Sequence, residues 1–151
     1  MIQELEDAGL SYDRLDEKQK LYFRTFIWNG VGSREFIDPP EAIFHKCSLY
    51  HDFYYWRGGP DKYRIMADHD FFHRCHDQAR KQPWYNKAIY FPLSYVYFLA
   101  LKILGHAAWE YRNAPCQTWD ELLRQVYKYY YDGKPNIKNR PPTYEDWLSD
   151  N

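Results

Sequence analysis

Apolar residues recur at helical spacing in the first part of the chain. A helix is predicted over residues 16–28, because four apolar side chains fall on one stripe of a 3.6-residue repeat: Tyr22, Phe23, Phe26 and Ile27. Residues 29–33 contain two glycines, and this composition predicts a tight loop directly after the helix.

Two longer helices are predicted at the centre of the chain. Asp38 is followed by two prolines, which is typical of a helix start, and this helix should run to about Arg57. The turn Gly58-Gly59-Pro60 ends it, and a further helix follows over about residues 62–82. Because the turn is short, the two helices should pack as antiparallel neighbours.

The remaining pattern predicts an all-α fold with additional C-terminal helices. Pro92 can occupy the first turn of a long helix that reaches Asn113, and Thr118 is a good N-cap for a last helix over about residues 119–131. Gly133 should stop that helix. We therefore predict one helical domain over residues 1–133 and an extended, Pro- and Asn-rich tail over residues 134–151.

The most apolar stretch of the chain is Phe91 to Trp109. It is long enough to be compared with a membrane span. It also contains Lys102 and His106, and a charged side chain is costly at the centre of a bilayer. We expect a largely buried core helix here, with a membrane span and an interfacial helix as the alternatives.

Aromatic side chains are unusually frequent, at 21% of all residues with 16 Tyr and 6 Trp. Such side chains suit packed cores, protein interfaces and the headgroup layer of a membrane. The net charge of −1 and the lack of a long basic stripe give no support for nucleic-acid binding.

Cysteine content and the N-terminal residues bear on the compartment. Residues 1–10 show no basic segment followed by an apolar run, so they do not resemble a signal peptide. The three cysteines, Cys47, Cys75 and Cys116, are too few for a disulfide framework. We expect a reduced, cytoplasmic setting and buried free thiols, while secretion by another route and a Cys47–Cys75 bridge stay open.

The two central helices also carry candidate chemistry. The first of them has one continuous face, formed by Phe44, Cys47, Ser48, His51 and Tyr55. His51 lies eight residues before Gly59 and Asp68 lies nine after it, so the count across the turn predicts that they face each other. A carboxylate at one ring nitrogen leaves the other free to take a proton from water. Asp70 is an alternative partner that should point elsewhere.

Metal binding is predicted beside this histidine. Asp52 is rotated by about 100° from His51 and can reach the preceding glycine loop. The carbonyls of Trp28, Gly30 and Gly32 with one carboxylate would form the oxygen-rich site that calcium requires, with weak affinity because only one ligand is charged. A rival transition-metal face is formed by histidines at helical spacing: His69, His73 and His76, with His45 on the preceding helix.

Residues 28–79 resemble the phospholipase A2 superfamily, most closely its bacterial, fungal and phage relatives. The shared features are Trp28-Asn-Gly-Val-Gly32 in the calcium-loop position, then Pro40, Cys47, His51-Asp52, Tyr55, Gly58-Gly59 and Arg64-Ile-Met-Ala-Asp68-His-Asp-Phe71. The chain departs from the secreted members by Val31 in place of a loop cysteine, by its few cysteines and by a longer gap between Gly32 and His51.

The resemblance implies a core of two antiparallel helices with a preceding glycine loop. It makes His51 the general base, Asp68 its partner and Tyr55 a hydrogen-bonding support of Asp68. Asp52 and the carbonyls of Trp28, Gly30 and Gly32 become the ligands of calcium (Ca²⁺).

The function implied is calcium-dependent hydrolysis of the sn-2 acyl ester of a glycerophospholipid. The expected partners are a phospholipid or similar lipid ester and a membrane surface. The alternative is a non-enzymatic phospholipase A2-like module, whose aromatic-rich surface would bind a protein partner or a second copy of the chain.

Overall fold

The computed structural model describes residues 2–28, 43–132 and 140–150. Seven α-helices occupy these ranges: α1 Ile2–Asp7, α2 Glu17–Tyr22, α3 His45–Arg57, α4 Asp61–Arg80, α5 Trp84–Ala108, α6 Trp119–Tyr127 and α7 Tyr144–Asp150. A 3₁₀ turn, Tyr12–Arg14, precedes α2, and π-helical turns extend α2 over Phe23–Ile27 and α6 over Lys128–Asp132. No β-strand occurs in the described ranges. The all-α prediction is therefore confirmed for this part of the chain.

The turn between α3 and α4 depends on two glycines. Gly58 and Gly59 have φ values of 66° and 129°, in the region that side chains with a Cβ rarely adopt. The turn is fixed to the segment after α5, because the Gly59 amide donates to the Glu110 carbonyl at 3.0 Å and the Trp109 indole donates to the Gly59 carbonyl at 2.9 Å. These contacts fix the turn between α3 and α4 against the segment that follows α5.

Aromatic side chains fill the main core. Phe23 from the end of α2 lies 5.3 Å from Phe53 of α3, and Tyr12 lies 5.6 Å from Phe53, both edge to face, measured between ring centroids. Edge-to-face pairs of this kind add stability beyond the area that they bury. From α6 the core receives Trp119, Leu122, Leu123 and Val126.

A smaller apolar cluster lies between α3 and α4 under the side of α5. Its buried members are Phe44, Cys47, Phe71 and Cys75. Both cysteines are free and buried, which agrees with the expectation of buried free thiols. Cys47 of α3 and Cys75 of α4 place this cluster between the helices that carry His51 and Asp68.

Helix α5 differs from its prediction in bounds and in burial. It begins at Trp84 with Pro83 as N-cap, it contains Pro92 in its interior, and it ends at Ala108. Only Ser94 and Gly105 are buried, so the expectation of a buried core helix was wrong. The reason is that α4 covers one side of α5, while most of its apolar side chains face outward. Within the described residues, α5 alone is long and apolar enough to cross a membrane.

The C-terminal segment is also different from its prediction. Residues 144–150 form α7 rather than an extended tail. Thr143 caps this helix, since its Oγ1 accepts a hydrogen bond from the Asp146 amide at 3.2 Å. Tyr144 and Trp147 pack on Tyr22 of α2, with ring centroids 5.1 and 5.5 Å away. Aromatic packing therefore orders a segment that its composition suggested would be extended.

Candidate active site

His51 and Asp68 face each other across the α3–α4 pair. Nε2 of His51 lies 3.2 Å from Oδ1 of Asp68, and the side chains are only 8% and 3% exposed. The contact that the residue count across the turn predicts is thus confirmed. A buried imidazole that donates Nε2–H to a carboxylate is held in one tautomer and one orientation.

The Asp68 carboxylate is held by two further donors. The Tyr55 hydroxyl donates to Oδ1 at 2.7 Å, and Nη1 of Arg64 donates to Oδ2 at 2.9 Å. Tyr55 lies one helical turn after His51, and Arg64 lies one turn before Asp68, so helix geometry brings both to the same point. Burial first, and then the charge of Asp68, raise the pKa of Tyr55, so its hydroxyl keeps the proton that it donates.

The second nitrogen of His51 points to Asp52. Nδ1 lies 3.5 Å from Oδ1 of Asp52, whose side chain is 15% exposed. Burial lowers the pKa of His51, but hydrogen bonds to Asp52 and to Asp68 outweigh it, and the pKa is raised above its ordinary value. Each ring nitrogen therefore has its own carboxylate, with Asp68 on the buried side.

Trp28 lies against the face of α3 that leads to Asp52. Its indole N–H donates to Oγ of Ser48 at 3.0 Å, and its ring lies 4.0 Å from the His45 ring. Ser48 and Asp52 are four residues apart and are therefore neighbours on the helix surface. Gly30 and Gly32, together with Val31 and Pro40, lie outside the described residues, so the calcium loop stays a prediction.

Arg64 is part of the site although the sequence reasoning assigned it no role. Besides Asp68, it donates through Nε to Asp61 at 2.7 Å, and its Nη2 lies 3.1 Å from Nε2 of His106 on α5. The four-residue spacing between Arg64 and Asp68 was the available signal, because ion pairs at this spacing are common on helices. Arg64 thus joins the support of the His–Asp pair to α5.

A cavity of about 250 Å³ opens between α4 and α5. Its lining residues are Arg64, Ile65, Asp68, His69, Phe98 and Lys102. The lining includes Asp68 but not His51, so this cavity reaches the buried partner of the histidine rather than Nδ1. Its wall combines apolar side chains with two cationic groups, Arg64 and Lys102, and the Asp68 carboxylate.

Two alternatives from the sequence find no support in the geometry. Asp70 is buried and accepts a hydrogen bond from Nε of Arg74 at 2.7 Å, so it does not face His51. No group of three His, Cys, Asp or Glu side chains in the described ranges could hold a metal ion. His69 and His76 instead contact rings of α5, at 5.1 Å from Phe98 and 4.7 Å from Phe91.

Comparison of the chain with protein-family models, with curated proteins and with solved structures gives no match. The resemblance to the phospholipase A2 superfamily therefore rests on this chain's own residues and their geometry.

Proposed function

We propose that this protein is a calcium-dependent hydrolase of the sn-2 acyl ester of glycerophospholipids, of the phospholipase A2 kind. The observation that carries the proposal is the buried His51–Asp68 contact at 3.2 Å, with Nδ1 of the same ring turned to Asp52. A histidine held in this way is suited to general-base chemistry, because Asp68 anchors one nitrogen and stabilises the positive charge that forms when the other nitrogen takes a proton.

In the proposed reaction, side chains of the α3–α4 pair take up and return one proton. Nδ1 of His51 takes a proton from a water molecule as the hydroxyl attacks the ester carbonyl, and later returns it to the leaving alcohol. Asp68 accepts the Nε2–H hydrogen bond and stabilises the imidazolium that forms. Tyr55 and Arg64 keep the Asp68 carboxylate in place through the hydrogen bonds at 2.7 and 2.9 Å.

The donor chemistry near Nδ1 fits a hard cation. Asp52 offers a carboxylate that is 15% exposed, and Trp28 lies beside the same face of α3. A calcium site completed by backbone carbonyls needs no cluster of acidic side chains. Asp52 with the carbonyls of Trp28, Gly30 and Gly32 would hold the ion, which when bound would polarise the ester carbonyl and stabilise the developing oxyanion.

The test is fatty-acid release from mixed micelles of phospholipid, with calcium or with EDTA. Release that needs calcium and is lost in His51→Gln is the expected result. The matched control is His73→Gln, because His73 is an exposed histidine of α4 and its replacement should leave the rate unchanged. If wild type and His51→Gln release fatty acid equally, the proposed function is wrong, and the non-enzymatic module is the better description.

A further inference from the structure

The outer face of α5 is a continuous apolar stripe. Residues at intervals of three, four or seven share this face of the helix. Five large side chains on this face are 57–76% exposed: Tyr85 57%, Ile89 62%, Val96 58%, Leu99 58% and Ile103 76%. Large apolar side chains scattered singly on a surface need no explanation, but a contiguous stripe of this length marks an interaction surface.

The opposite side of α5 packs on α4. Phe98 contacts His69, and His76 contacts Phe91 and lies 3.5 Å from Oγ of Ser94. Helix α4 also carries exposed polar and charged side chains, including His73 and Asp77. If α5 crossed a bilayer in this arrangement, it would draw these groups into hydrocarbon at high cost. The outer face can lie along a membrane plane without that cost.

Charge identifies the kind of surface that the face suits. Residues 78–109 contain no Asp or Glu, and they include Lys81, Lys87, Lys102 and Arg80, the last of which pairs with Asp77 at 3.6 Å. Cations near an apolar face favour an anionic lipid surface. The same segment of a second copy contains no acidic side chain to pair with these cations. At the start of α5, Trp84 is 82% exposed, as suits a side chain at headgroup level.

We propose that α5 docks in the plane of an anionic lipid bilayer through the stripe defined by Tyr85, Ile89, Val96, Leu99 and Ile103. The cavity between α4 and α5, with Phe98 and Lys102 in its wall, lies on the other side of α5 from this stripe. The proposal deepens the proposed function, because it names an anionic bilayer as the surface on which the lipid substrate is met. Binding itself requires no turnover.

The experiment measures flotation with vesicles of phosphatidylcholine, with and without phosphatidylglycerol. All variants carry His51→Gln, so that hydrolysis does not alter the vesicles. Ile103→Asp should lower binding to anionic vesicles at least about tenfold, since it replaces a large apolar contact by a charge of the wrong sign. The control is Leu21→Asp, because Leu21 of α2 is also exposed, at 48%, but lies outside the stripe. Equal binding of the Ile103→Asp and Leu21→Asp proteins would overturn the proposal.

A separate variant tests the electrostatic contribution to vesicle binding. Lys102→Gln should lower binding to anionic vesicles about fivefold and leave the weak binding to phosphatidylcholine unchanged. Addition of salt should have the same effect as the substitution. Tryptophan fluorescence should shift to shorter wavelength on binding, and Trp84→Phe should remove most of that shift.

Two other outcomes would overturn docking on lipid. One is a concentration-dependent dimer in analytical ultracentrifugation without lipid that Ile103→Asp abolishes, which would assign the stripe to a second copy. The other is vesicle binding that persists in high salt and in alkaline carbonate, which would indicate a span. Hydrolysis of a water-soluble short-chain lecithin separates the two proposals, because it reports the catalytic site without requiring a bilayer.

Discussion

The Tyr55 hydroxyl donates a hydrogen bond to Oδ1 of Asp68 at 2.7 Å, and the same oxygen lies 3.2 Å from Nε2 of His51. The ring of Tyr55 also lies 4.2 Å from the ring of His51, measured between centroids. One tyrosine therefore fixes both members of the His–Asp pair, through its hydroxyl and through its ring. In the proposed mechanism this arrangement makes Tyr55 a positioning residue rather than a group that touches substrate.

Replacement of Tyr55 by Phe should lower kcat about tenfold and leave KM nearly unchanged, because it removes one hydrogen bond to a charged group and keeps the ring contact. Steady-state kinetics on short-chain lecithin checks this. The control is Tyr50→Phe, since the Tyr50 hydroxyl donates to Asp13 at 2.9 Å, away from the site. Equal activity of the Tyr55→Phe and Tyr50→Phe proteins would show that the Asp68 contact has no catalytic consequence.

Substitution of Asp68 tests whether its carboxylate supports His51 in catalysis, and the same substitution at Asp70 is the matched control. Asp68→Asn should lower kcat on the order of 10³-fold or more, because the amide cannot stabilise the imidazolium. Asp70→Asn breaks only the 2.7 Å contact with Arg74, so it should keep most activity while losing about 1–3 kcal/mol of stability. Kinetics and urea denaturation of both variants check the pair. The opposite ranking of activities would make Asp70 the functional partner.

We predict that the stimulation of hydrolysis by calcium requires the Asp52 carboxylate. Asp52→Asn should abolish the calcium-stimulated rate, and EDTA should reduce the wild type to the same level, because the site would lose its one charged ligand. The rise in melting temperature on adding calcium should also be lost in the variant. An Asp52→Asn protein that still responds to calcium would place the ion elsewhere.

Some of this fold follows from local sequence signals. The glycine turn and the helical stripes predict that α3 and α4 pair, and the residue count then predicts that His51 faces Asp68. Thr118 is the N-cap of α6 as its sequence indicates, and it accepts a hydrogen bond from the Glu121 amide at 3.3 Å. These features depend on helix periodicity and on capping, which act within a few residues.

Other features depend on which elements meet in space. The apolar run of α5 has the same composition whether it is buried or exposed, and only the one-sided packing on α4 distinguishes the two. The helix at residues 144–150 needs the aromatic surface around Tyr22, which is more than 100 residues away in sequence. Long-range packing of this kind leaves little trace in local pattern.

The docking of α7 should contribute measurably to stability. Trp147→Ala should lower the free energy of unfolding by about 2 kcal/mol, because it removes edge-on ring contacts and part of the buried apolar area. Urea denaturation measures this. Trp84→Ala is the matched control, since Trp84 is 82% exposed and its loss should change stability by less than about 0.5 kcal/mol. Equal effects of the two substitutions would mean that α7 does not stabilise the fold.

Gly105 of α5 lies against the Tyr55 hydroxyl so closely that a Cβ at this position would collide with that oxygen. The other nearby atoms, Cζ of Tyr55 and Nη1 of Arg64, would both lie at 3.6 Å, an ordinary contact. Gly105→Ala should therefore displace the hydroxyl from Asp68 and lower kcat about as much as Tyr55→Phe does. An alanine also favours the helix by about 1 kcal/mol over glycine, so stability should change little.

A double-mutant cycle tests this explanation. In the Tyr55→Phe background the hydroxyl is absent, so Gly105→Ala should cause almost no further loss of kcat. Kinetics and melting temperatures of the two single variants and the double variant give the coupling between the positions. If Gly105→Ala lowers kcat equally in both backgrounds, its effect does not pass through Tyr55, and the link from α5 to the Asp68 carboxylate would have to run through Arg64 and His106 instead.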